Sequence, residues 1–400
     1  MLASKYQDYM FGLLKKVIDE IGPRPPCSEA EKKLGRLLVD EWKPVCDRVD
    51  VEPFTCSPTA HFGSLYIIVL FYFAAVIFYW FLPPLALTLA AASCGILFLE
   101  IFRYREFVDF LFPRRQGENV IGTVRPKGEP AQRIIVSGHM DSAYEFNLNL
   151  YLKGAHDPVQ SVGMLGVVIA FFGSLAKTIA YFNVFSNDAA LAGVGIALIV
   201  LSPIAALFLF FTSWKPVPGA GDDMAGVSVV AGLGRYLGEA KRSVDWFPER
   251  TEVVLLGASS EEAGLRGAKR YVKRHLKEMK AIPTHFLTLD GFCEDNTMTV
   301  AKDEPSIGVR HDPQLAKMAQ EVAASHNWPM AVGRQMVPGG SDAAPFSLSG
   351  ISATWLSAYD HSRFGPNFHT RYDTCEHVRP ESLSVMLQLV IEMIQRIDKG

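Results

Sequence analysis

Five short motifs rich in acidic and histidine side chains are spread over residues 137–374 of this 400-residue chain. They supply two imidazoles, a carboxylate that can bridge two cations, two further carboxylates and a glutamate left over for acid–base work. Imidazole and carboxylate ligands suit zinc, and two adjacent cations acidify a water and polarise a carbonyl. The set therefore indicates hydrolysis assisted by two metal ions. In chain order the motifs are Ser-Gly-His139-Met-Asp141, Gly-Asp222-Asp223-Met-Ala-Gly, Ser-Ser-Glu261-Glu262-Ala-Gly-Leu, Leu-Thr-Leu-Asp290-Gly and Phe-His369-Thr-Arg-Tyr-Asp-Thr.

The first and fourth motifs follow segments with the character of buried strands. His139 comes after the β-branched run 133–137, and Asp290 comes after the apolar run 286–289. Open α/β sheets bind ligands at the carboxyl ends of their strands, so these positions favour a site. Asp141 can accept the other ring N–H of His139 and fix its tautomer. Each motif alone has an ordinary structural explanation, such as helix capping, and only their joint occurrence favours chemistry.

The elements around these motifs alternate between short apolar runs and amphipathic segments. This alternation predicts an α/β fold, a three-layer sandwich in which a mostly parallel mixed sheet lies between helices. Strands are predicted at 48–54, 119–124, 133–137, 252–256, 286–289 and 351–355, and helices at 6–21, 28–42, 225–237, 265–279, 313–324 and 382–397.

Composition excludes several classes of protein. A net charge of −3 and a pI near 6.4 give no basic face for nucleic acid, which is therefore not expected as a partner. The six cysteines lack C-x-x-C spacing, so neither a cysteine zinc site nor a disulfide scaffold is predicted. The first residues lack the apolar core and cleavage site of a signal peptide, and export is not expected.

Two regions are apolar enough to predict contact with a lipid bilayer. Residues 62–99 contain no charged side chain and are divided by Pro83-Pro84, while residues 159–214 are divided by a polar stretch at 183–188. A bilayer is crossed by about 20 apolar helical residues, so each region predicts a transmembrane helical hairpin. A re-entrant or interfacial second hairpin is the alternative. The predicted segments are 62–82, 85–99, 159–182 and 189–214.

The hairpins define the predicted domain organisation. Hairpin one spans 61–102 and hairpin two spans 159–214, which places the second between the first and second motifs. Because each hairpin returns the chain to the same side, the pieces 1–60, 103–158 and 215–400 can form one catalytic domain. Basic residues flank the hairpins and are missing from their connectors, so the positive-inside rule puts this domain on the cytoplasmic side. These basic residues are Arg103, Arg105, Arg114, Arg115, Lys153 and Lys215.

The motifs together resemble the co-catalytic zinc exopeptidase family of bacterial leucine-type aminopeptidases and, more distantly, glutamate carboxypeptidase. That family's pattern is His-x-Asp, Asp-Asn/Asp-x-Ser/Ala-Gly, Glu-Glu-x-Gly-Leu, a strand-end Asp and His-Thr-x-x-Asp-Thr. The resemblance covers nearly all of the chain except the two apolar insertions. Flanking matches are Ile21-Gly22-Pro23-Arg24-Pro25, Glu118-Asn119-Val120-Ile121 and Gly-Gly-Ser341-Asp342-Ala-Ala-Pro-Phe346.

The resemblance implies a role for each motif residue. One zinc would be held by His139, Asp222 and Asp290, and the other by Asp222, Glu262 and His369, with Asp222 bridging. Glu261 would be the general base, and Asp141 would support catalysis by orienting His139. Cobalt or manganese could replace zinc on such ligands.

Three departures from the family pattern affect the surroundings of the site. Family members often have Ser-Asp-His where this chain has Ser341-Asp342-Ala343, which puts a substrate contact in doubt. Met224 replaces a small or polar residue, and the stretch 358–367 before His369 is individual to this chain.

We therefore predict a membrane-embedded, zinc-dependent exopeptidase that acts on peptides, most simply an aminopeptidase. A carboxypeptidase, dipeptidase or other amidohydrolase on the same ligands is one alternative. An inactive membrane-anchored scaffold is the other, which metal analysis would distinguish. Neither the oligomeric state nor the physiological substrate follows from the sequence.

Overall fold

The computed structural model describes residues 2–182, 188–294, 297–334, 338–358 and 367–400. The chain divides into two compact units. The sheet unit comprises Met1–Pro58, Arg114–Tyr144 and Pro216–Gly400, and the helical unit comprises Thr59–Pro113 and Glu145–Lys215. The helical unit thus contains both predicted apolar regions with their flanking residues.

The sheet unit contains a mixed sheet of nine described strands in the order β1-β2-β6-β3-β7-β11-β8-β10, with β9 paired to β8. Its centre, from β6 to β11, is parallel, while β1, β2 and β8 join antiparallel neighbours. The strands are β1 (Arg48–Cys56), β2 (Arg115–Val124), β3 (Gln132–His139), β6 (Thr251–Ala258), β7 (Thr284–Phe292), β8 (Met298–Glu304), β9 (Val309–Arg310), β10 (Met330–Arg334) and β11 (Ser352–Ala358).

Helices cover both faces of this sheet. In β3, Ile134 and Val136 belong to one buried cluster, which includes residues of α1, α8 and α12, whereas Ile135 belongs to another that includes residues of α9 and α11. Such alternation follows from the two-residue period of a strand. The predicted α/β fold, a mixed sheet between helices, is confirmed. The helices are α1 (Gln7–Glu20), α2 (Glu29–Trp42), α8 (Ala225–Ala240), α9 (Arg266–Met279), α10 (Pro313–Ser325), α11 (Ala343–Leu348) and α12 (Pro380–Lys399).

The helical unit is built from four long apolar helices, α3 (Ala60–Phe81), α4 (Pro83–Ile96), α6 (His156–Tyr181) and α7 (Asp188–Leu207). The hydroxyls of Tyr72 and Tyr79 donate to the carbonyls of Leu198 and Leu191, both at 2.8 Å, so α3 and α7 run antiparallel. Glycines in α6 permit close packing on α7, since a side chain at Gly173 would lie 2.6 Å from Val194.

In the described part of this unit, four helical stretches are long and apolar enough to cross a membrane, by length and composition. Pro83 and Pro84 are the first residues of α4, where a missing N–H costs no helical hydrogen bond. The helix predicted at 189–214 ends earlier than expected, because Thr212–Pro216 forms strand β5. This strand pairs with β4 (Tyr144–Phe146), which is followed by the short α5 (Asn147–Leu152). Most of the predicted polar turn at 183–188 lies outside the described residues.

Candidate active site

The five motifs converge at the carboxyl ends of three neighbouring parallel strands. His139 is the last residue of β3, Asp290 lies near the end of β7, and Glu261 and Glu262 follow β6. Strand β3 lies between β6 and β7, so these ends are adjacent in the sheet. Asp222 precedes α8, and His369 lies in the segment before α12. Every predicted site residue therefore lies in the sheet unit, at the edge where parallel sheets bind ligands.

Asp222 lies between the two histidines. Its Oδ1 is 3.0 Å from Nε2 of His139, and its Oδ2 is 3.0 Å from Nε2 of His369. The Nε2 of His139 is also 3.8 Å from Oδ1 of Asp290, and that of His369 is 3.1 Å from Oε1 of Glu262. Two ligands of one tetrahedral zinc, each bonded at about 2.0–2.1 Å, lie about 3.3 Å apart. The observed separations fit ligands that share an ion.

Among the residues that the structure describes, three groups of side chains bring their ligand atoms within 4.8 Å of one another. Two are the sets expected from the sequence, His139 with Asp222 and Asp290, and Asp222 with Glu262 and His369. The third group joins His139, Glu261 and Glu262. Glu261 therefore lies close enough to act either as a ligand or as an acid–base group, and its substitution separates the two roles.

The charge of this cluster also fits bound cations. Burial, with neighbouring carboxylates, raises the pKa of Glu262 to about 6 and that of Asp342 to about 7. Burial likewise raises the pKa of Asp290. Ionised carboxylates packed this closely repel one another, and divalent cations between them remove that cost. The residues present thus suit zinc both in donor type and in charge.

Asp141 holds the segment that carries the two glutamates. Its Oδ1 accepts the backbone N–H of Glu261 and its Oδ2 that of Glu262, each at 3.0 Å. Nδ1 of His139 lies 3.1 Å from the carbonyl oxygen of Asp141 and 3.4 Å from its Oδ1. The ring contact predicted for the Asp141 carboxylate is thus closer to its carbonyl, while the carboxylate binds the glutamate segment to the end of β3.

Asp223 and Asp373 play corresponding parts in other motifs. Asp223 accepts the backbone N–H of His139 at 2.9 Å and that of Gly226 at 3.0 Å. Asp373 accepts the N–H groups of Gly221 at 2.7 Å and Asp222 at 3.1 Å. Asp141, Asp223 and Asp373 therefore each fix the backbone of another ligand-bearing segment. Sequence reasoning did not assign these roles, although both acids stand inside the recognised motifs.

Arg24 is a further residue that the sequence did not single out as functional. It is fully buried, and its guanidinium donates to the carbonyls of Gly22, Met140, Pro218 and Gly219 at 2.9–3.0 Å. It thereby joins the N-terminal segment to the segments that carry Asp141 and Asp222. Its only sequence signal was the flanking match at residues 21–25.

The structure describes some of the positions at which the sequence departs from the family pattern. Asp342 is buried, and neither of its carboxylate oxygens has a hydrogen-bond partner among the described residues. The preceding Ser341 donates to Glu304 at 2.5 Å and so anchors this segment to β8. Ala343 begins α11. Most of the stretch 358–367 lies outside the described residues.

Replacing Asp373 by asparagine is expected to weaken zinc binding about 10–100-fold, the range for partners that orient ligands. One acceptor oxygen becomes an NH₂ group that faces the N–H of Gly221 or Asp222. A chelator-competition titration measures the effect. Asp398→Asn is the matched control, because Asp398 accepts the N–H groups of residues 249–251 at the opposite end of β6. Equal zinc affinity in wild type and Asp373→Asn would contradict this role.

The metal-free protein is expected to lose stability as the pH rises from 5 to 8. Burial raises the pKa of Asp373 to about 7 and that of Glu262 to about 6, above their unfolded values near 4. Burial alone lowers the pKa of His369, but Glu262 and Asp222 raise it to about 10. In every case the folded state binds more protons than the unfolded state, so its advantage disappears with rising pH.

Thermal unfolding of chelator-treated protein in detergent checks this expectation, with saturating zinc as the control. The melting temperature should fall between pH 5 and pH 8 without metal, and zinc should reduce or reverse the fall because it binds the ionised ligands. A metal-free protein that is more stable at pH 8 than at pH 5 would show that the cluster does not behave in this way.

Comparison with known proteins relates most of this site to one family. Residues 210–394 match the model of peptidase family M28. This segment of the chain is similar to that family. The match includes four of the five motifs, from Asp222 to His369, and supports a zinc-dependent metallopeptidase. The comparison with curated proteins finds no match.

Several solved structures share the fold. The zinc aminopeptidase BSAP from Bacillus subtilis is 15% identical with a TM-score of 0.57, over 98% of this chain and 95% of that one. An aminopeptidase from Aneurinibacillus sp. strain AM-1 is 14% identical with a TM-score of 0.58, over 98% and 93%. A glutaminyl cyclase from an Acidobacteriales bacterium is 14% identical with a TM-score of 0.58, over 98% of this chain and 94% of that one. At these identities the similarity concerns the fold.

Proposed function

We propose that this protein is a membrane-inserted aminopeptidase of the M28 type with two zinc ions. His139, Asp222 and Asp290 would hold one ion, and Asp222, Glu262 and His369 the other. The observation that carries the proposal is the position of Asp222, whose two oxygens each lie 3.0 Å from one histidine Nε2. A carboxylate placed in this way can serve two ions at once.

The chemistry follows from the side chains around this centre. When bound, the two ions supply Lewis-acid polarisation of the scissile carbonyl and lower the pKa of the attacking water. Glu261 takes the proton from that water and delivers it to the leaving amine. Burial raises the pKa of Glu261 well above its usual value, which favours return of the proton in the second half of the reaction. The Asp141 carboxylate positions Glu261 by accepting the backbone N–H of Glu261.

Aminopeptidase activity is favoured over the other exopeptidase reactions by the names of similar structures. These include the two aminopeptidases above, while a Zn-dependent exopeptidase from Parabacteroides distasonis supports only the broader class. The deciding experiment is digestion of a peptide library by the zinc-loaded full chain in detergent. Peptides with a free N-terminus should lose their first residue, and the same peptides with an acetylated N-terminus should be resistant. Release of C-terminal residues, or equal cleavage of blocked peptides, would favour a carboxypeptidase or another amidohydrolase.

Membrane insertion is supported by the surface of the helical unit. Leu70, Phe172 and Val200 are 60–68% exposed. They lie on helices whose apolar stretches have mean hydropathies of 1.9 to 2.5. Apolar surface of this extent is costly in water and is satisfied by lipid. The basic residues near the ends of these helices, including Arg103, Lys153 and Lys215, favour a cytoplasmic position for the sheet unit.

Reporter fusions at the C-terminus test this topology in a bacterial host. A green fluorescent protein fusion should be fluorescent in the membrane fraction, and an alkaline phosphatase fusion should be inactive. Alkaline carbonate should leave the protein in the membrane. An active phosphatase fusion would reverse the proposed orientation, and extraction by carbonate would contradict insertion.

A further inference from the structure

Two cysteines outside the five motifs contact the segment that carries Glu261. Sγ of Cys27 lies 3.5 Å from Sγ of Cys56 and 3.3 Å from Oγ of Ser260. Both thiols are free, and they are 6% and 4% exposed, respectively. Cys27 lies in the segment before α2, and Cys56 is the last residue of β1. The proposed hydrolysis uses neither thiol.

Glu31 couples this cysteine pair to the glutamate segment. Its Oε2 accepts the backbone N–H of Cys27 at 2.7 Å, and its Oε1 accepts that of Ser260 at 2.9 Å. Cys27 and Ser260 both have a φ of 59°, a left-handed conformation that is uncommon without glycine. The N–H of the next residue, Glu261, is held by Asp141. A displacement of Cys27 is therefore transmitted to the backbone at Glu261.

We propose that Cys27 and Cys56 form a reversible oxidation site, at which a peroxide creates a disulfide that displaces Ser260 and Glu261 and lowers turnover. The effect on turnover rests on the proposed function, whereas formation of the bond does not. A disulfide requires the sulfurs to approach by about 1.5 Å from their present separation. Cys27 must then leave Oγ of Ser260.

The oxidation is balanced with one peroxide per pair. The Cys27 thiolate attacks a peroxide oxygen, the O–O bond breaks, and the released hydroxide takes a proton to become water. The sulfur of Cys56 then attacks the resulting sulfenic acid, its proton leaves with the hydroxyl as a second water, and the S–S bond forms. The hydrogen bond from the Cys56 thiol lowers the pKa of Cys27, which favours Cys27 as the attacking sulfur.

The position of Cys56 suits a reversible product. Because its sulfur already contacts Cys27, it can capture the sulfenic acid before a second peroxide oxidises it further. On the cytoplasmic side proposed for the sheet unit, the resting state is the dithiol. Peroxide would then switch the enzyme off, and thiol reductants would restore it.

The test exposes the zinc-loaded full chain in detergent to hydrogen peroxide and blocks remaining thiols with N-ethylmaleimide. Non-reducing digestion and mass spectrometry should find a linked peptide containing Cys27 and Cys56. On the peptides with free N-termini, kcat should fall about 10–100-fold, the effect of a shift of about 1 Å near the chemistry, and dithiothreitol should restore it. Zinc should also transfer faster to a chelator, since Glu262 lies in the displaced segment.

Two variants separate this pair from the other thiols. Cys27→Ala lacks the attacking sulfur, so it should keep the activity of the reduced enzyme within about twofold and should resist peroxide, whereas Cys46→Ala should be inactivated like wild type. Three results would each overturn the proposal: absence of the linked peptide, linkage that changes neither turnover nor the rate of zinc release, or inactivation of Cys27→Ala to the same extent as wild type. A reduced enzyme that cleaves no peptide would refute the proposed function instead, and the linked peptide and zinc release would still decide the oxidation site.

Discussion

Glu261→Gln is expected to retain its zinc and to lose about 10²–10⁴-fold in kcat, the contribution of a positioned general base. The amide keeps the size of the side chain and the backbone N–H bond to Asp141, but it cannot accept the proton of the attacking water. Zinc analysis and steady-state kinetics on the same preparation measure both quantities. KM should change much less than kcat, because the lost interaction belongs to the transition state.

Two other substitutions make this result interpretable. Glu262→Gln should lose zinc as well as activity, because Oε1 of Glu262 lies 3.1 Å from Nε2 of His369. Glu129→Gln changes an exposed glutamate and should resemble wild type. If Glu261→Gln kept wild-type turnover, Glu261 would not be the base. If it lost zinc like Glu262→Gln, Glu261 would be a ligand, as the third group of side chains allows.

Asp222→Asn is expected to weaken both zinc sites and to abolish measurable peptidase activity. Asparagine keeps one carbonyl oxygen, and its NH₂ group cannot coordinate a cation, so neither site keeps the shared carboxylate. Partners that only orient ligands already contribute about 10–100-fold, so loss of the bridging ligand should cost more than about 10²-fold in zinc affinity. Zinc analysis after dialysis and chelator competition measure the loss.

Asp223→Asn is the matched comparison for this experiment. Asp223 is the next residue and is also buried, but its oxygens accept the backbone N–H groups of His139 and Gly226. It should weaken zinc binding less than Asp222→Asn does. Two zinc ions per chain and wild-type turnover in Asp222→Asn would eliminate the bridging role.

The central elements of the sheet unit followed from local pattern. The β-branched residues of β3 and the apolar residues of β6 and β7 predicted buried parallel strands, and Ser28 accepts the N–H of Glu31 as the expected cap of α2. Strands β8 and β10 were not predicted, because their exposed and charged positions lack an apolar run. Such strands form because a neighbouring strand offers hydrogen bonds, which a local pattern does not record.

The candidate site was predictable in its residues and not in its supports. Spacing and strand-end positions brought His139, Asp222 and Asp290 to attention, and the structure brings them together; their role as ligands stays a prediction. The backbone bonds of Asp373 and the fourfold carbonyl contacts of Arg24 join segments far apart in sequence. The contact of Cys27 with Cys56 also joins distant segments, and the spacing of the cysteines in the sequence did not predict it.

The most direct test of this account is an anomalous-scattering measurement at the zinc edge on crystals of the zinc-loaded full chain. We expect two peaks about 3.5–4 Å apart on either side of the Asp222 carboxylate. One should be bonded to His139 and Asp290, and the other to Glu262 and His369. A single peak, peaks that leave Asp222 uncoordinated, or no peak at this end of the sheet would contradict the proposed two-zinc centre.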